Sequence, residues 1–383
     1  MTSLATPFSV FDDADRRHMA RAIELARGGE GFVEPNPMVG CVLVSATGGA
    51  IAEGFHRLFG GPHAEAEALA NCERSPHGST AYVTLEPCCH HGKTPPCTDA
   101  LLTAGVQRVV IANLDPFPKV AGGGVAELTG AGVRVEVGLL ADEARELNAP
   151  YFKRVQTGRP WIIAKWAMTL DGKIATHTGE SRWISGEQAR AVVHRLRGRM
   201  DAIMIGSRTA ALDDPLLTAR PPGPRVATRV VFDPAAALSP ASQLCRTAGE
   251  TPTLLLTGPM AEQDRVAALR QTGCEVLGCE GADKTEQLLA GLDELGRLSM
   301  TNVLVEGGGG LLGALFDAGQ IDEVHAFIAP RLIGGAVAAT PIAGRGTAEM
   351  AQTMELAHLR VQTLGPDVYI HARTPCQKSG ERG

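Results

Sequence analysis

A chain of 383 residues with 44% hydrophobic and 20% charged residues exceeds one ordinary core and suits two globular domains, which excludes wholesale disorder. Its 36 basic and 42 acidic residues give a net charge of −6, so no general attraction to nucleic acid or anionic lipid is expected. An aromatic share of 4% provides no rows of rings for stacking single strands.

In chain order, Asp12 is placed to cap a helix in which Met19, Ile23 and Ala26 recur at helical spacing, ending near Gly28 and Gly29. A turn, Glu34-Pro-Asn-Pro, follows. Strands are predicted over 39–44, 81–85 and 106–112, with helices over 64–71 and 98–104 between them. Asp115-Pro-Phe-Pro and Gly122-Gly-Gly read as loop, and a strand over 133–137 with a helix over 141–147 closes the first series. The domains are set at residues 1–150 and 151–383, with Thr157-Gly-Arg-Pro160 as linker. The second series has strands over 161–167, 202–205, 229–232, 253–256, 302–305 and 323–328, and helices over 188–199, 261–271 and 286–298. Alternating strands and helices imply two α/β domains, and no short repeat or bilayer-spanning run interrupts them.

Nine cysteines is an odd number, and Asp12, Asp13, Asp15, Arg16 and Arg17 stand where a secretory leader needs apolar residues. A cytoplasmic chain with metal or thiol chemistry is therefore expected rather than a disulfide scaffold. Cys88, Cys89 and Cys97 cluster, whereas Cys41, Cys72, Cys245, Cys274, Cys279 and Cys376 are scattered and read as small buried hydrophobes.

His63-Ala-Glu65 opens a predicted helix and Pro87-Cys88 follows a predicted strand. This is the layout of zinc deaminases, in which a His and two thiolates hold the metal, water fills the fourth position and a nearby Glu moves protons. Two residues apart at a helix start, His63 and Glu65 can face one cavity, the first as ligand and the second as acid and base. Spacing leaves the third ligand open among Cys89, His90, His91 and Cys97. Pro95 and Pro96 ahead of a helical run favour Cys97, whose thiolate would sit at a helix N-terminus. Asn36 is a candidate for reading a ribose or ring edge, and His90, His91 and Lys93 for contacting phosphate.

Later, Val303-Leu-Val-Glu306 runs into Gly307-Gly-Gly-Gly310-Leu-Leu-Gly313, a strand, a glycine loop and a helix starting near Leu311. Bare amides at a helix start suit a phosphate. The Gly308-x-Gly-x-x-Gly313 match to a dinucleotide fingerprint is weak, because it comes late in its domain and no acidic residue ends the next strand.

The segments Asn36-Pro-Met-Val-Gly-Cys41, His63-Ala-Glu65 and Thr84-Leu-Glu-Pro-Cys-Cys-His-His-Gly-Lys-Thr-Pro-Pro-Cys97 resemble the bifunctional riboflavin-biosynthesis deaminase/reductase of bacteria. So do Ala164-Lys-Trp-Ala-Met-Thr-Leu-Asp-Gly-Lys-Ile-Ala175, Gly179-Glu-Ser-Arg-Trp-Ile-Ser185 and Thr209-Ala-Ala-Leu-Asp-Asp-Pro-Leu-Leu-Thr-Ala-Arg220, similar to its reductase half. The resemblance implies a cytidine-deaminase-like three-layer α/β domain followed by a dihydrofolate-reductase-like α/β domain. It implies zinc on His63, Cys88 and Cys97 with Glu65 as proton shuttle. It places NADPH contacts on Ala167, Trp183, Thr209, Asp213 and the loop Gly308, Gly309, Gly310, Leu311, Leu312, Gly313 and Ala314. Sugar-phosphate contacts fall on Ser181, Arg197, Leu217, Arg220 and Glu306, with two arginines expected to hold the phosphate.

The implied reaction is hydrolytic deamination of a diaminopyrimidinone ribosylamine phosphate, then NADPH-dependent reduction of its ribose. The expected partner is that small molecule, with no nucleic acid and no membrane; homo-oligomerisation is left open. The rivals are a nucleoside or tRNA base deaminase, against which the second domain and the acidic balance speak, and a non-enzymatic zinc-stabilised nucleotide-binding module, which requires four protein ligands on zinc.

Overall fold

The structure, a computed structural model, describes residues 11–92 and 95–375. They form two compact units that divide between Thr157 and Gly158.

The first unit runs α1 (Asp13–Ala26), β1 (Gly40–Val44), β2 (Ala50–Phe55), α2 (Ala64–Ala70), β3 (Thr80–Leu85), α3 (Cys97–Thr103), β4 (Arg108–Asn113), α4 (Gly123–Gly130), β5 (Arg134–Val137), α5 (Ala141–Leu147) and α6 (Ala149–Thr157). Its sheet has the order β2-β1-β3-β4-β5, with β1 antiparallel to both neighbours and β3, β4 and β5 parallel. Alternation along the strands builds the layers. Cys41, Leu43, Val83 and Ile111 pack with Ala68, Leu101 and Leu128 of α2, α3 and α4 on one face. Val42, Tyr82 and Val110 pack with Met19 and Ile23 of α1 and Ala144 of α5 on the other. The result is a three-layer α/β unit. Asp12 caps α1 by accepting the Asp15 N–H at 2.7 Å, and the Asp15 side chain returns the bond to the Asp12 N–H.

The first unit runs past the expected boundary at residue 150, because α6 carries it to Thr157. Tyr151 and Phe152 on that helix are buried with Leu85. Two more elements depart from expectation. Residues 50–55 form a strand although Glu53 and Gly54 break its apolar pattern, and the supposed Gly122–Gly124 loop is the start of a helix.

The second unit contains β6 (Trp161–Thr169), α7 (Glu187–Arg197), β7 (Ala202–Gly206), α8 (Ser207–Asp213), β8 (Thr228–Phe232), α9 (Gln243–Arg246), β9 (Thr253–Thr257), α10 (Gln263–Gln271), β10 (Glu275–Gly278) and α11 (Lys284–Arg297). It continues with β11 (Asn302–Val305), α12 (Gly309–Asp317), β12 (Glu323–Ala329), β13 (Ala357–Leu364) and β14 (Asp367–Arg373). The order is β10-β9-β8-β7-β11-β6-β12-β14-β13, parallel from β10 to β12 and antiparallel in the last two strands. Ile162, Met204, Val230, Leu254 and Val303 bury against Leu288, Leu292 and Leu295 of α11 and Leu311, Leu312 and Leu315 of α12. Strand order runs outward in both directions from the β7-β11-β6 centre. The carboxyl ends of those three strands are where ligands enter sheets of this kind. No described helix is long and apolar enough to cross a membrane.

Candidate active sites

In the first unit, sheet and helix ends deliver every group of the cysteine cluster. His63 is the extended residue that precedes α2, Glu65 lies in its first turn, Cys88 follows β3 by three residues, and Cys97 opens α3. His63 Nδ1 stands 3.5 Å from Cys88 Sγ and 3.3 Å from Cys97 Sγ, and the Cys97 backbone N–H donates to Cys88 Sγ at 3.4 Å. A tetrahedral zinc with Zn–N of about 2.0–2.1 Å and Zn–S of about 2.3 Å separates N from S by about 3.5 Å, so the three donors fit zinc in type and spacing. Among the described residues no fourth His, Cys, Asp or Glu joins the group. That matches an open catalytic position and not the four-ligand structural module.

The charge distribution suits a metal. Hydrogen bonds from Cys97 and His63 bring the Cys88 thiol down to about 4 against the effect of burial. Burial raises the carboxyl of Glu65, which is 3% exposed.

These groups open on a cavity of about 300 Å³ lined also by Asn36, His56, His90, Asp115 and Tyr151. His56 was not singled out from sequence. Its Nδ1–H donates to the Pro62 carbonyl at 2.8 Å, leaving Nε2 to accept from the Asn36 amide at 3.2 Å. That pair orients Asn36. Burial lowers the His56 pKa and favours this neutral form. Asp115 Oδ1 accepts from the Tyr151 hydroxyl and from the Phe117 N–H, both at 2.9 Å, and burial raises its carboxyl. Of the phosphate candidates, His90 lines the cavity with its Nδ1 buried and unpartnered among the described residues, whereas His91 is exposed. Cys89 turns away toward the Lys119 carbonyl, 3.9 Å distant. Lys93 and Cys376 lie outside the described residues.

In the second unit the expected contacts gather around the β7-β11-β6 ends. Thr209 Oγ1 accepts from the Gly308 N–H at 3.1 Å, joining α8 to the glycine loop. Ser181 Oγ donates to Asp213 at 3.5 Å. Ala167 is half-buried on β6 beside Phe327. The Trp183 ring is exposed, with the Arg190 guanidinium 4.9 Å from its centre. Leu217 is buried at a φ of 51°, so only its backbone is available for a ligand. Arg220 is exposed, and its N–H donates to His194 Nδ1 at 3.2 Å.

Of the two arginines expected at the phosphate, Arg197 already has a carboxylate partner. Glu306 accepts from Arg197 Nε at 2.5 Å and from its Nη2 at 3.0 Å, with Lys165 Nζ at 3.3 Å on the same carboxylate. The fork of Arg197 is thus engaged by Glu306. The glycine run also has a packing explanation at two of its positions. A Cβ at Gly309 would lie 2.5 Å from the Thr340 carbonyl oxygen, and one at Gly313 would lie 2.3 Å from that of Ala343. Segment 340–343 crosses α12 there, whereas Gly310 faces open space, where a ligand has room.

A second His and Glu group was invisible in the sequence. Glu323 accepts from His325, His371, Trp161 and Arg373 at 2.8–3.1 Å. Four donors saturate this buried carboxylate, which marks it as a structural tie between β6, β12 and β14.

Comparison with known proteins agrees with both halves. Residues 12–113 match the family model for the cytidine and deoxycytidylate deaminase zinc-binding region, and residues 160–370 match that for the RibD C-terminal domain. The riboflavin biosynthesis protein RibD of Actinobacillus pleuropneumoniae is 42% identical over 363 residues, covering 95% of this chain and 96% of that protein. Its Escherichia coli counterpart is 38% identical over 373 residues, covering 93% and 98%. Among solved structures, Acinetobacter baumannii RibD superposes with a TM-score of 0.82 at 35% identity, covering 95% of this chain and 99% of that one. The diaminohydroxyphosphoribosylaminopyrimidine deaminase/5-amino-6-(5-phosphoribosylamino)uracil reductase of Thermotoga maritima gives 0.79 at 32% identity, covering 94% and 99%. With both family models matched in order and relatives aligned nearly end to end, the chain belongs to the RibD family of zinc- and NADPH-dependent deaminase/reductases of riboflavin biosynthesis.

Proposed function

We propose that the first unit hydrolytically removes the 2-amino group of 2,5-diamino-6-(5-phosphoribosylamino)pyrimidin-4(3H)-one and that the second then reduces the ribosyl group to ribityl. The observation that carries the first half is a buried carboxyl, Glu65, beside a group of three zinc-type donors of which His63 and Cys88 share its cavity wall. Zinc on His63, Cys88 and Cys97 supplies a Lewis acid that acidifies water to a pKa near about 7. Glu65 takes one proton from the attacking water and gives it to the ring nitrogen, then takes the remaining proton from the newly added hydroxyl and gives it to the departing amine. Its raised pKa suits both directions of transfer. Asn36, oriented by His56, reads the ribose or ring edge, and Lys93 meets the phosphate.

In the second unit NADPH supplies the hydride, and the chain supplies position and charge. Ala167, Trp183, Thr209, Asp213 and the Gly308–Ala314 segment take the cofactor. Ser181, Arg197, Leu217, Arg220 and Glu306 take the sugar phosphate, with Glu306 holding Arg197 in place. Unpaired thiols at Cys88 and Cys97 favour work in the reducing cytoplasm.

The two activities are expected to fail separately. His63→Ala should abolish ammonia release yet leave reduction of the already deaminated intermediate, and Arg220→Ala should do the reverse. Loss of both activities in either folded variant would contradict two distinct sites.

NADPH should be preferred to NADH about tenfold to a hundredfold in kcat/KM, the worth of a charge-assisted contact to the 2′-phosphate. Ser207 and Arg208 in the first turn of α8 are the candidates for it. Equal kcat/KM values would remove that role.

A further inference from the structure

Glu86 stands between strand β3 and Cys88, is 4% exposed, and has no part in the chemistry described above. Its carboxylate receives three backbone N–H groups from one distant segment, the Asp115–Gly122 loop and the first turn of α4. Oε2 accepts from Asp115 at 3.2 Å and Gly122 at 3.0 Å, and Oε1 accepts from Val125 at 3.1 Å. That loop carries Asp115, Phe117 and Val120 on the cavity wall. A buried carboxylate is costly unless its acceptor sites are filled, so this placement is specified and not incidental. The Gly122–Gly124 run makes the contact feasible. Gly122 sits at a φ of 88°, and a Cβ at Gly124 would lie 2.1 Å from the Pro87 carbonyl oxygen. One side chain therefore ties the loop bearing a zinc ligand to the loop walling the substrate cavity.

We propose that Glu86 is a positioning residue for deamination, fixing the Asp115–Val125 segment so that the pyrimidine is held against the zinc donors and Glu65. The inference rests on the deamination proposed above. Glu86 is not among the zinc-type donors, and although it lines the cavity its carboxylate is held by three backbone N–H groups, so its removal acts on substrate placement.

The test uses the full-length, zinc-loaded chain with Glu86→Ala, Glu86→Gln and, as a second route, Gly124→Ala, which keeps the Glu86 side chain but wedges a Cβ against the Pro87 carbonyl and Glu86 where the two segments meet. Zinc content, KM and kcat for ammonia release, and reduction of the deaminated intermediate are measured for each. Glu86→Ala and Gly124→Ala should keep one zinc and full reductase activity while raising the deamination KM by about tenfold or more. Glu86→Gln, which retains an acceptor oxygen, should fall between them and the wild type. If Glu86→Ala does not fold, the other two variants decide. Wild-type KM in the folded variants, or zinc loss with KM unmoved, overturns the proposal. Failure of the wild-type chain to release ammonia would instead overturn the deamination on which it rests.

Discussion

Glu65→Gln is expected to retain zinc and to lose ammonia release by about 10²–10⁴-fold, the usual worth of a positioned proton-transfer group. The reason is geometric. The donors His63, Cys88 and Cys97 form a group that does not include Glu65, and Gln has nearly the volume of the carboxyl it replaces in a buried site. Metal content and ammonia release measured on the same sample separate the roles. Zinc loss in this variant would place Glu65 among the ligands and overturn its assignment as the shuttle.

The second large effect is on stability. Glu306 has a side-chain exposure of 8%, against 14% for Arg197 and 16% for Lys165, so Glu306→Gln strands two cations in a poorly hydrated site. Breaking a buried pair from one side costs about 3–5 kcal/mol, which for a unit of this size lowers the thermal midpoint by about 10 °C. Burial alone would raise the Glu306 carboxyl, but Arg197 and Lys165 outweigh it and hold it near about 2, below its ordinary 4.5. A depressed carboxyl stabilises the fold fully above its unfolded pKa and loses that contribution as pH falls toward its folded value. The midpoint gap between wild type and variant should therefore be widest at neutral pH and shrink between about pH 4.5 and 2. Calorimetry across that range checks it, and a gap independent of pH would contradict the ion-pair account.

Much of this chemistry is written locally. His63 and Glu65 share one helix turn, and Cys88 follows a β-branched strand, so spacing alone brings three of the four deaminase groups into view. The third ligand is not local. Its identity depends on the course of the loop from Cys88 to Cys97, which spacing left open and the family resemblance closed. Partners far apart in sequence were illegible for the same reason. Arg197 and Glu306 are 109 residues apart, and Glu86 and Val125 are 39 apart, with nothing in either neighbourhood marking the match.

The missed elements have composition to blame. Helix α4 begins at glycines, which disfavour helix, and α6 carries Pro150 at its start, which resembles a boundary. Strands β13 and β14 form an edge hairpin, and β13 exposes both of its faces, so no apolar alternation announces it. The weakness of the Gly308–Gly313 dinucleotide match has a physical reason. Gly313 and the intervening Gly309 answer to the backbone of segment 340–343 as directly as to any ligand.

The most direct measurement of the central claim follows the purified chain with 2,5-diamino-6-(5-phosphoribosylamino)pyrimidin-4(3H)-one, recording ammonia release and nicotinamide absorbance together. Without NADPH, one ammonia should be released per substrate and the reaction should stop at the deaminated ribosyl compound. Adding NADPH should then oxidise one cofactor per ammonia already released. NADPH oxidation that precedes or bypasses ammonia release, or ammonia release undiminished after zinc is stripped, would contradict the account.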